Sequence, residues 1–494
     1  MLLTAVIKDL DILSIKGNVN IEISKIAYDS REVVENGVFV AISGFKVDGH
    51  NYIQKAIDKG AKVIILENEV DIDEGITVIK VEDSRLALAK VSTNYYNHPT
   101  QKFNLVGITG TNGKTSVTYF IKAIYDYMNK PTSIIGTIGT VINNQVIPNK
   151  NTTPESLNLN AIFNDMVNAK VENCIMEVSS HALNLNRVGY CDFNTGIFTN
   201  LSPDHLELHN TMEEYFNAKA KLFHMTSDYN IINMDDEYGK RLIQRVKDND
   251  AKVITYGLEK EADIYAKDII CGDEFTKYTV VTPNGTMDIT VNIPGIIYVY
   301  NSLAAIAYGY CNNIGLMDIQ QGINSLKGIT GRLEVIYNDD DYKVIVDFAH
   351  TEDGLEKALN TIRPFVKGRI ILVFGVYAAA GEKGRDKRVG MGKIAAKYSD
   401  VAVVTSDNPK DQDPELIIQE IVEAIQEEKG NYKAIIDRRE AINYAIEISR
   451  KDDVILLTGK GHETSQIIGT EEIPFNEKEI VNEIINNMKN IKIG

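Results

Sequence analysis

Apolar positions along this chain fall into short runs separated by longer amphipathic stretches, and the grouping of those runs divides the chain into three series. In the first, GVFVAI, AKVIIL and ITVIKV alternate with a helix-compatible stretch from Tyr52 to Lys59, which predicts a small α/β unit. The segment Asn97-His98-Pro99-Thr100 interrupts the pattern, because proline disfavours helix at the residue before it. Beyond it, FNLVGIT, SIIGTIG, NCIMEV, TGIFT and YNIINM are separated by helix-compatible segments, the signature of a parallel sheet with crossover helices. After Gly331-Arg332 come KVIVDF, IILVFG, VAVVT, KAII and DVILLT, alternating with helical stretches such as Glu415 to Glu427. That series predicts a Rossmann-like, doubly wound sheet. The expected organisation is therefore α/β throughout, in three domains spanning 1–100, 101–331 and 332–494.

Length agrees with this division, since 494 residues exceed what one hydrophobic core usually organises. The opening MLLTAVIKDLDILSIKG has no basic flank and carries Asp9 and Asp11 early, unlike a secretion signal or a membrane span. A cytoplasmic chain without membrane insertion is expected, and a monomer. Cys174, Cys191, Cys271 and Cys311 have no paired spacing, so buried free thiols are expected rather than a zinc site or disulfides. The net charge, 52 − 69 = −17, repels nucleic acid and anionic membranes, and no basic patch reverses it. An anionic small substrate then needs a dedicated pocket of cations or helix N-termini.

One motif supplies such a pocket. Gly107-Ile108-Thr109-Gly110-Thr111-Asn112-Gly113-Lys114-Thr115 follows a strand-like run and precedes a helix-like one, Ser116 to Met128. Glycines there let backbone N–H groups close on phosphates, Lys114 can neutralise the β and γ phosphates, and the Thr115 hydroxyl can hold Mg²⁺. Ile108 stands where the strict phosphate-loop pattern has its first glycine.

Downstream, Glu177 in Met176-Glu177-Val178-Ser179-Ser180-His181 and the pair Asp204-His205 both follow strand-like runs. Both should emerge at the carboxyl edge of the sheet, where ligands collect in such folds. The stretch Met212 to Phe223 carries an apolar stripe of Met212, Tyr215, Phe216, Leu222 and Phe223 with Lys219 inside it, whereas Lys221 falls outside and should be solvated. An ammonium in an apolar stripe is costly, so Lys219 must snorkel, pair or be chemically modified.

GTNGKT, MEVSSHAL, LSPDHLELH, YFNAKAKLF, NMDD, YNSLAA, GRLEVI, DFAHTEDGLEKAL, TSDNPKDQDP and GKGHE, in this order across all three predicted domains, resemble the Mur ligase family. The resemblance implies an ATP-dependent, ADP-forming ligase of peptidoglycan precursor synthesis. It would add a diamino acid to the γ-carboxyl of D-glutamate in UDP-N-acetylmuramoyl-L-alanyl-D-glutamate, through an acyl phosphate. It further implies that Lys219 is carbamylated by CO₂ and supports Mg²⁺ together with Thr115, Glu177 and His205. ATP would be held by Gly110, Thr111, Asn112, Gly113, Lys114, Thr115 and Ser116, with Asn301 near the adenine and Arg332 and Asp347 reaching in from the C-terminal side. The muramoyl dipeptide would meet Ser30, Thr152, Thr153, Ser179 and Arg187.

For the incoming amino acid, the resemblance points to Arg388, Asn408, Lys410, Gly459 and Glu463. Glu463 suits an ammonium, and Arg388 and Lys410 suit carboxylates. The chain reads Asp407-Asn408-Pro409-Lys410 where diaminopimelate-adding members read Asp-Asn-Pro-Arg, and lysine-adding members usually lack the cation. A cation still favours diaminopimelate over L-lysine, although lysine lacks arginine's bidentate fork. The run Gly375 to Gly381 is unusual for the family. Three rivals remain: a folylpolyglutamate-synthetase-like ligase, against which the Asp29-Ser30-Arg31 region speaks, a phosphate-loop switch or motor ATPase, and a non-catalytic binding module that kept the fold, against which the presence of Lys114, Thr115, Glu177, His205 and Lys219 speaks.

Overall fold

The computed structural model describes residues 1–44, 47–72, 74–339, 341–378 and 381–493, apart from the side chains at 207 and 490–493. Three sheets carry the architecture, with a small hairpin pair, Ser465–Ile468 and Glu471–Pro474, beside the third.

The first sheet has five strands in the spatial order Ile12–Lys16, Thr77–Val81, Ala61–Leu66, Gly37–Val40 and Ile26–Ala27. All neighbours are parallel except the outermost Ile12–Lys16. Strands at its centre are buried on both faces, which is why they read as continuous apolar runs rather than alternating ones. The helix Ser84–Tyr95 is started by Asp83, whose carboxylate accepts from the N–H groups of Arg85 and Leu86. Asn97 and His98 both adopt positive φ where the chain leaves this unit.

The central sheet is larger and less uniform than its sequence pattern suggests. Its middle is parallel, with Asn104–Thr109 between Asn173–Glu177 and Phe193–Phe198. Both ends are antiparallel, however: Gly139–Ile142 and Gln145–Ile147 extend one edge, and Ile264–Cys271, Thr276–Thr282 and Gly285–Val291 extend the other. The parallel middle is the expected sheet, and the antiparallel hairpins extend it at both ends. These hairpins are built by turn chemistry, with Asn143 and Asn144 at φ 50° and 63° and Gly285 at φ 132°. The strands they join are very short or alternate buried with exposed positions, so long apolar runs do not mark them.

The third sheet places Asp453–Thr458 between Tyr342–Asp347 and Ile370–Phe374, followed by Val401–Val404 and Tyr432–Ala434, all parallel, with Glu334–Asn338 antiparallel at the edge. Helices cover both faces of this sheet. One apolar core runs continuously from Val106 and Ile121 in the central unit through Ile329 and Leu333 to Leu372 and Leu456 in the third. Ala379 and Ala380, in the unusual run before Gly381, lie outside the described residues. Cys174, Cys191 and Cys311 are buried thiols as expected, but Cys271 is exposed because it ends the strand Ile264–Cys271, beyond the two residues that pair with Lys252–Gly257. Among the described residues, no helix is long and apolar enough to cross a membrane.

Candidate active site

The strand Asn104–Thr109 ends in the glycine turn, and the helix Lys114–Tyr127 begins directly after it, so free N–H groups of the first helical turn face the cleft. Gly113 sits at φ 90°, and a Cβ there would collide with the Asn301 amide. Only glycine fits, and Asn301, buried in the helix Ile296–Cys311, closes the turn from the far side. Thr111 and Asn112 are pinned by Asn200, whose carbonyl accepts from Thr111 N–H (2.8 Å) and whose side-chain oxygen accepts from Asn112 N–H (3.0 Å). The Lys114 ammonium donates to the carbonyls of Gly110 (2.9 Å) and Thr111 (2.8 Å).

Beside the turn, the Thr115 hydroxyl donates to Glu177 at 2.9 Å. Glu177 is 2% exposed and also accepts from the Thr137 N–H (3.0 Å) and hydroxyl (2.9 Å). A hydroxyl and a carboxylate this close form a hard-oxygen pair of the kind Mg²⁺ prefers. Arg332 reaches the same point, donating to Thr115 Oγ1 at 3.1 Å while its guanidinium lies 4.7 Å from the Phe348 ring centroid. Asp347 uses both oxygens to organise the adjoining loop, accepting from Leu333 N–H (2.7 Å) and Ala349 N–H (2.8 Å). Burial raises its carboxyl above the usual range, against the pull of Arg332. Gly113, Lys114, Thr115, Ser116, Glu177, Asn301, Arg332 and Asp347 thus line one cleft between the central and third units.

Lys219 is 2% exposed, donates to Gly110 O at 2.8 Å and lies 4.5 Å from the Tyr215 ring centroid. Burial, reinforced by the Lys114 charge, pushes its amine well below the usual lysine range, against the attraction of Asp204. Burial lowers Lys114 as well, opposed by Glu177 and Asp204. Two desolvated lysines side by side make a strongly anion-seeking corner. Lys221, by contrast, is exposed, as its place outside the apolar stripe predicts.

His205, at φ 51°, lies 3.2 Å from Asp204, with its ring 4.9 Å from that of His181 and 6.5 Å from that of Tyr215. Tyr215 also touches Thr111 (3.3 Å between oxygens), so its ring links His205, Lys219 and the phosphate turn. Among the described residues, no three His, Cys, Asp or Glu side chains converge as a ready metal cluster. The expected metal set depends instead on a hydroxyl and a modified lysine. Asp204 bridges further, to Lys387 of the third unit at 3.3 Å. Although burial opposes its charge, His205, Lys387 and His350 hold its carboxyl below the usual range.

The residues expected at the muramoyl dipeptide form a wall next to Glu177. Thr153 donates to Glu177 O (2.8 Å) and accepts from Ser179 N–H (3.1 Å), and Thr152 lies 3.2 Å from the Thr137 hydroxyl. Ser179 caps the short helix Ser180–Asn184. Arg187 donates to Thr153 O (3.1 Å) and faces Glu155 at 3.4 Å, which also meets Arg85 of the first unit at 3.4 Å. Ser30 is buried in the turn that Asp29 begins, and Tyr28 beside it reaches Asn158 of the central unit (2.8 Å). The first unit therefore docks against this wall.

At the third unit, Asn408, Gly459 and Glu463 converge, with Lys410 exposed at their rim and its backbone bonded to Ile467 and Gly469. Arg388 lies on the helix Gly381–Tyr398. It is buried in an ion pair with Glu420, because the helices Gly381–Tyr398 and Pro414–Glu427 pack side by side and bring those two positions together. No hydrogen bond among the described residues carries it to Asn408 or Glu463. Sequence reasoning missed Thr137, Asn200, Lys387 and Lys460. Asn200 and Lys460 fall inside recognised motifs, whereas Thr137 had no local signal at all.

A phosphate-binding turn joined by an interdomain cleft to a Rossmann-like unit defines an ATP-using ligase of three domains. Family models match in the same order: the Mur ligase family catalytic domain over residues 22–97, the Mur ligase middle domain over 108–309, and the Mur ligase glutamate ligase domain over 331–461. The UDP-N-acetylmuramoyl-L-alanyl-D-glutamate–2,6-diaminopimelate ligase of Clostridioides difficile is 46% identical over 99% of this chain and 100% of its own length. Its counterpart from Caldanaerobacter subterraneus is 45% identical over 95% of this chain and 96% of its own. A solved structure of a ligase of that name superposes with a TM-score of 0.69 at 26% identity, covering 99% of both chains. Folylpolyglutamate synthase from Mycobacterium tuberculosis shares the fold over only 76% of this chain (93% of its own), with a TM-score of 0.64 at 15% identity. The chain belongs to the Mur ligase family, which sets aside the switch or motor reading.

Proposed function

We propose that this chain joins diaminopimelate to the D-glutamate γ-carboxyl of UDP-N-acetylmuramoyl-L-alanyl-D-glutamate, using ATP, in the cytoplasm. The observation that carries the reading is similarity at 46% identity over essentially the whole length to a relative with that named activity. Lys410 supports the choice of amino acid, since a cation at the rim suits the second carboxylate that diaminopimelate has and L-lysine lacks.

The residues divide the work between two steps. Lys114 and the N–H groups of the glycine turn hold the triphosphate, with Asn301 and Arg332 framing the rest of the nucleotide. Thr153, Ser179 and Arg187 orient the dipeptide so that a carboxylate oxygen meets the γ-phosphorus and ADP leaves. Glu463 and Lys410 then hold the amino acid while its neutral amine attacks the acyl carbon, phosphate departs and the nitrogen loses a proton. Holding the partners in line supplies most of the acceleration, and no covalent enzyme intermediate is needed.

The Thr115 and Glu177 oxygens fit Mg²⁺, with His205 and a carbamate on Lys219 completing the set. When bound, Mg²⁺ would offset the charge that builds on the phosphoryl oxygens. Lys219 suits carbamylation because only an uncharged amine attacks CO₂, and burial favours that form.

A panel assay tests the whole reading. Purified protein with ATP, Mg²⁺ and the muramoyl dipeptide nucleotide is offered L-lysine, L-ornithine and the diaminopimelate isomers, and phosphate release is followed. Release that depends on diaminopimelate is expected; release with L-lysine alone would reassign the substrate, and release with none would overturn the reading.

A further inference from the structure

The third unit contains a charged group that the reaction above does not use. Lys460 is 0% exposed, in the turn that follows the central strand Asp453–Thr458. Its backbone cannot relax outward: Gly459 and Gly461 adopt φ 106° and 58°, and a Cβ on Gly461 would lie 2.7 Å from Phe348 Cβ. The Lys460 carbonyl accepts from Glu463 N–H at 2.9 Å, which closes the turn.

Inside that turn the ammonium donates to Asn408 Oδ1 (3.1 Å) and to Glu463 Oε2 (2.9 Å). Asn408 Oδ1 also accepts from Ile467 N–H (2.9 Å), and Asn408 Nδ2 donates to Glu463 Oε2 (3.3 Å). Both lone pairs of the Asn408 oxygen are thereby used, so the amide can offer a ligand only N–H. Glu463 keeps its other oxygen for a ligand and remains 34% exposed at the side chain. A buried ammonium is tolerated only when oxygens surround it, and here the two oxygens belong to the residues matched to amino-acid recognition.

We propose that Lys460 is a positioning residue for the amino-acid substrate, fixing Asn408 as a donor to carboxylate and Glu463 as an acceptor from ammonium. It sets the polarity of the corner, so that one zwitterionic amino-acid end is read in a single orientation. This rests on the ligase reading above.

The test compares wild type with Lys460→Met, Glu463→Gln and the double variant, measuring KM separately for ATP, for the muramoyl nucleotide and for diaminopimelate. Lys460→Met is expected to raise KM for diaminopimelate roughly 10- to 100-fold, as for loss of a buried charged hydrogen-bonding group, with the other two KM values unchanged. In the Glu463→Gln background most of that increase should vanish, because the lysine acts through the carboxylate. If Lys460→Met does not fold, Lys460→Gln, which keeps a donor in the same space, should show the same split at reduced size. An equal rise in all three constants, or fully additive variants, would overturn the inference. A wild type inactive with every diamino acid would instead overturn the ligase reading.

Discussion

The phosphate turn and the amino-acid corner solve similar problems in opposite ways. Each must hold charge away from water, but the turn is written in nine consecutive residues from Gly107 to Thr115, whereas the corner gathers Asn408, Gly459, Lys460 and Glu463 from two separate loops. At the turn, the hydrogen bonds of the Lys114 and Lys219 amines go to backbone carbonyls, at 2.8 to 2.9 Å for Lys114 and 2.8 Å for Lys219. Such partners do not depend on side-chain identity. In the corner every partner of Lys460 is itself a side chain, so substitution at one position disturbs all three. The difference teaches that a contiguous turn held by backbone carbonyls is insulated from its neighbours, whereas a corner built from side chains couples each position to the others.

The largest effect should come from Lys219→Ala, which removes both the proposed carbamate and the contact to Gly110. A loss of at least about 10³-fold in kcat is expected, at the upper end for removal of one electrostatic group. Short carboxylates added to that variant should restore part of the rate; near-normal turnover without them would rule out the carbamate. Lys114→Met should lower kcat/KM for ATP by roughly 10²-fold while leaving binding of the muramoyl nucleotide intact in calorimetry. If both affinities fell together, the turn would not be the separate nucleotide device described here.

Lys410→Ala sharpens the contrast from the other side. It should raise KM for diaminopimelate about tenfold, the scale of one exposed charge-assisted contact, and leave KM for ATP unmoved. The smallest effect concerns stability between the two regions, where His350 lies beside Lys387. Burial first, and the Lys387 charge second, depress its imidazole to about 4 from an ordinary 6.5. A histidine that stays neutral in the fold contributes fully above pH 6.5, and its contribution is lost as pH falls from 6.5 towards 4, where the unfolded chain takes up the proton and the fold does not. His350→Gln should therefore flatten that limb of a Tm-against-pH curve between pH 6.5 and 4, without changing Tm dependence above pH 7.

Much of this was legible in the sequence where chemistry is contiguous. Gly113-Lys114-Thr115 at a strand-to-helix junction points to a phosphate cradle, and Lys219 inside an apolar stripe to a buried amine, through local spacing alone, whereas a carbamate there is implied only by the family resemblance. The antiparallel edges of the central sheet were not legible, because strands with one wet face lack long apolar runs and their turns are short polar pairs such as Asn143-Asn144. Arg388 shows a related limit: nothing local reveals that Glu420, on the next helix, pairs with it. Thr137 escaped notice because its value lies wholly in a carboxylate forty residues away in the chain.

The helix Gly381–Tyr398 grips the central unit by two lysines, Lys383 on the carbonyl of Leu206 (2.6 Å) and Lys387 on Asp204. Between those two grips lies His205. A rigid lever with two handholds on one short loop transmits tilt as well as displacement, so a ligand that rocks this helix turns the imidazole with it. Any tilt of the third unit against the central one is thereby carried to the loop that holds His205.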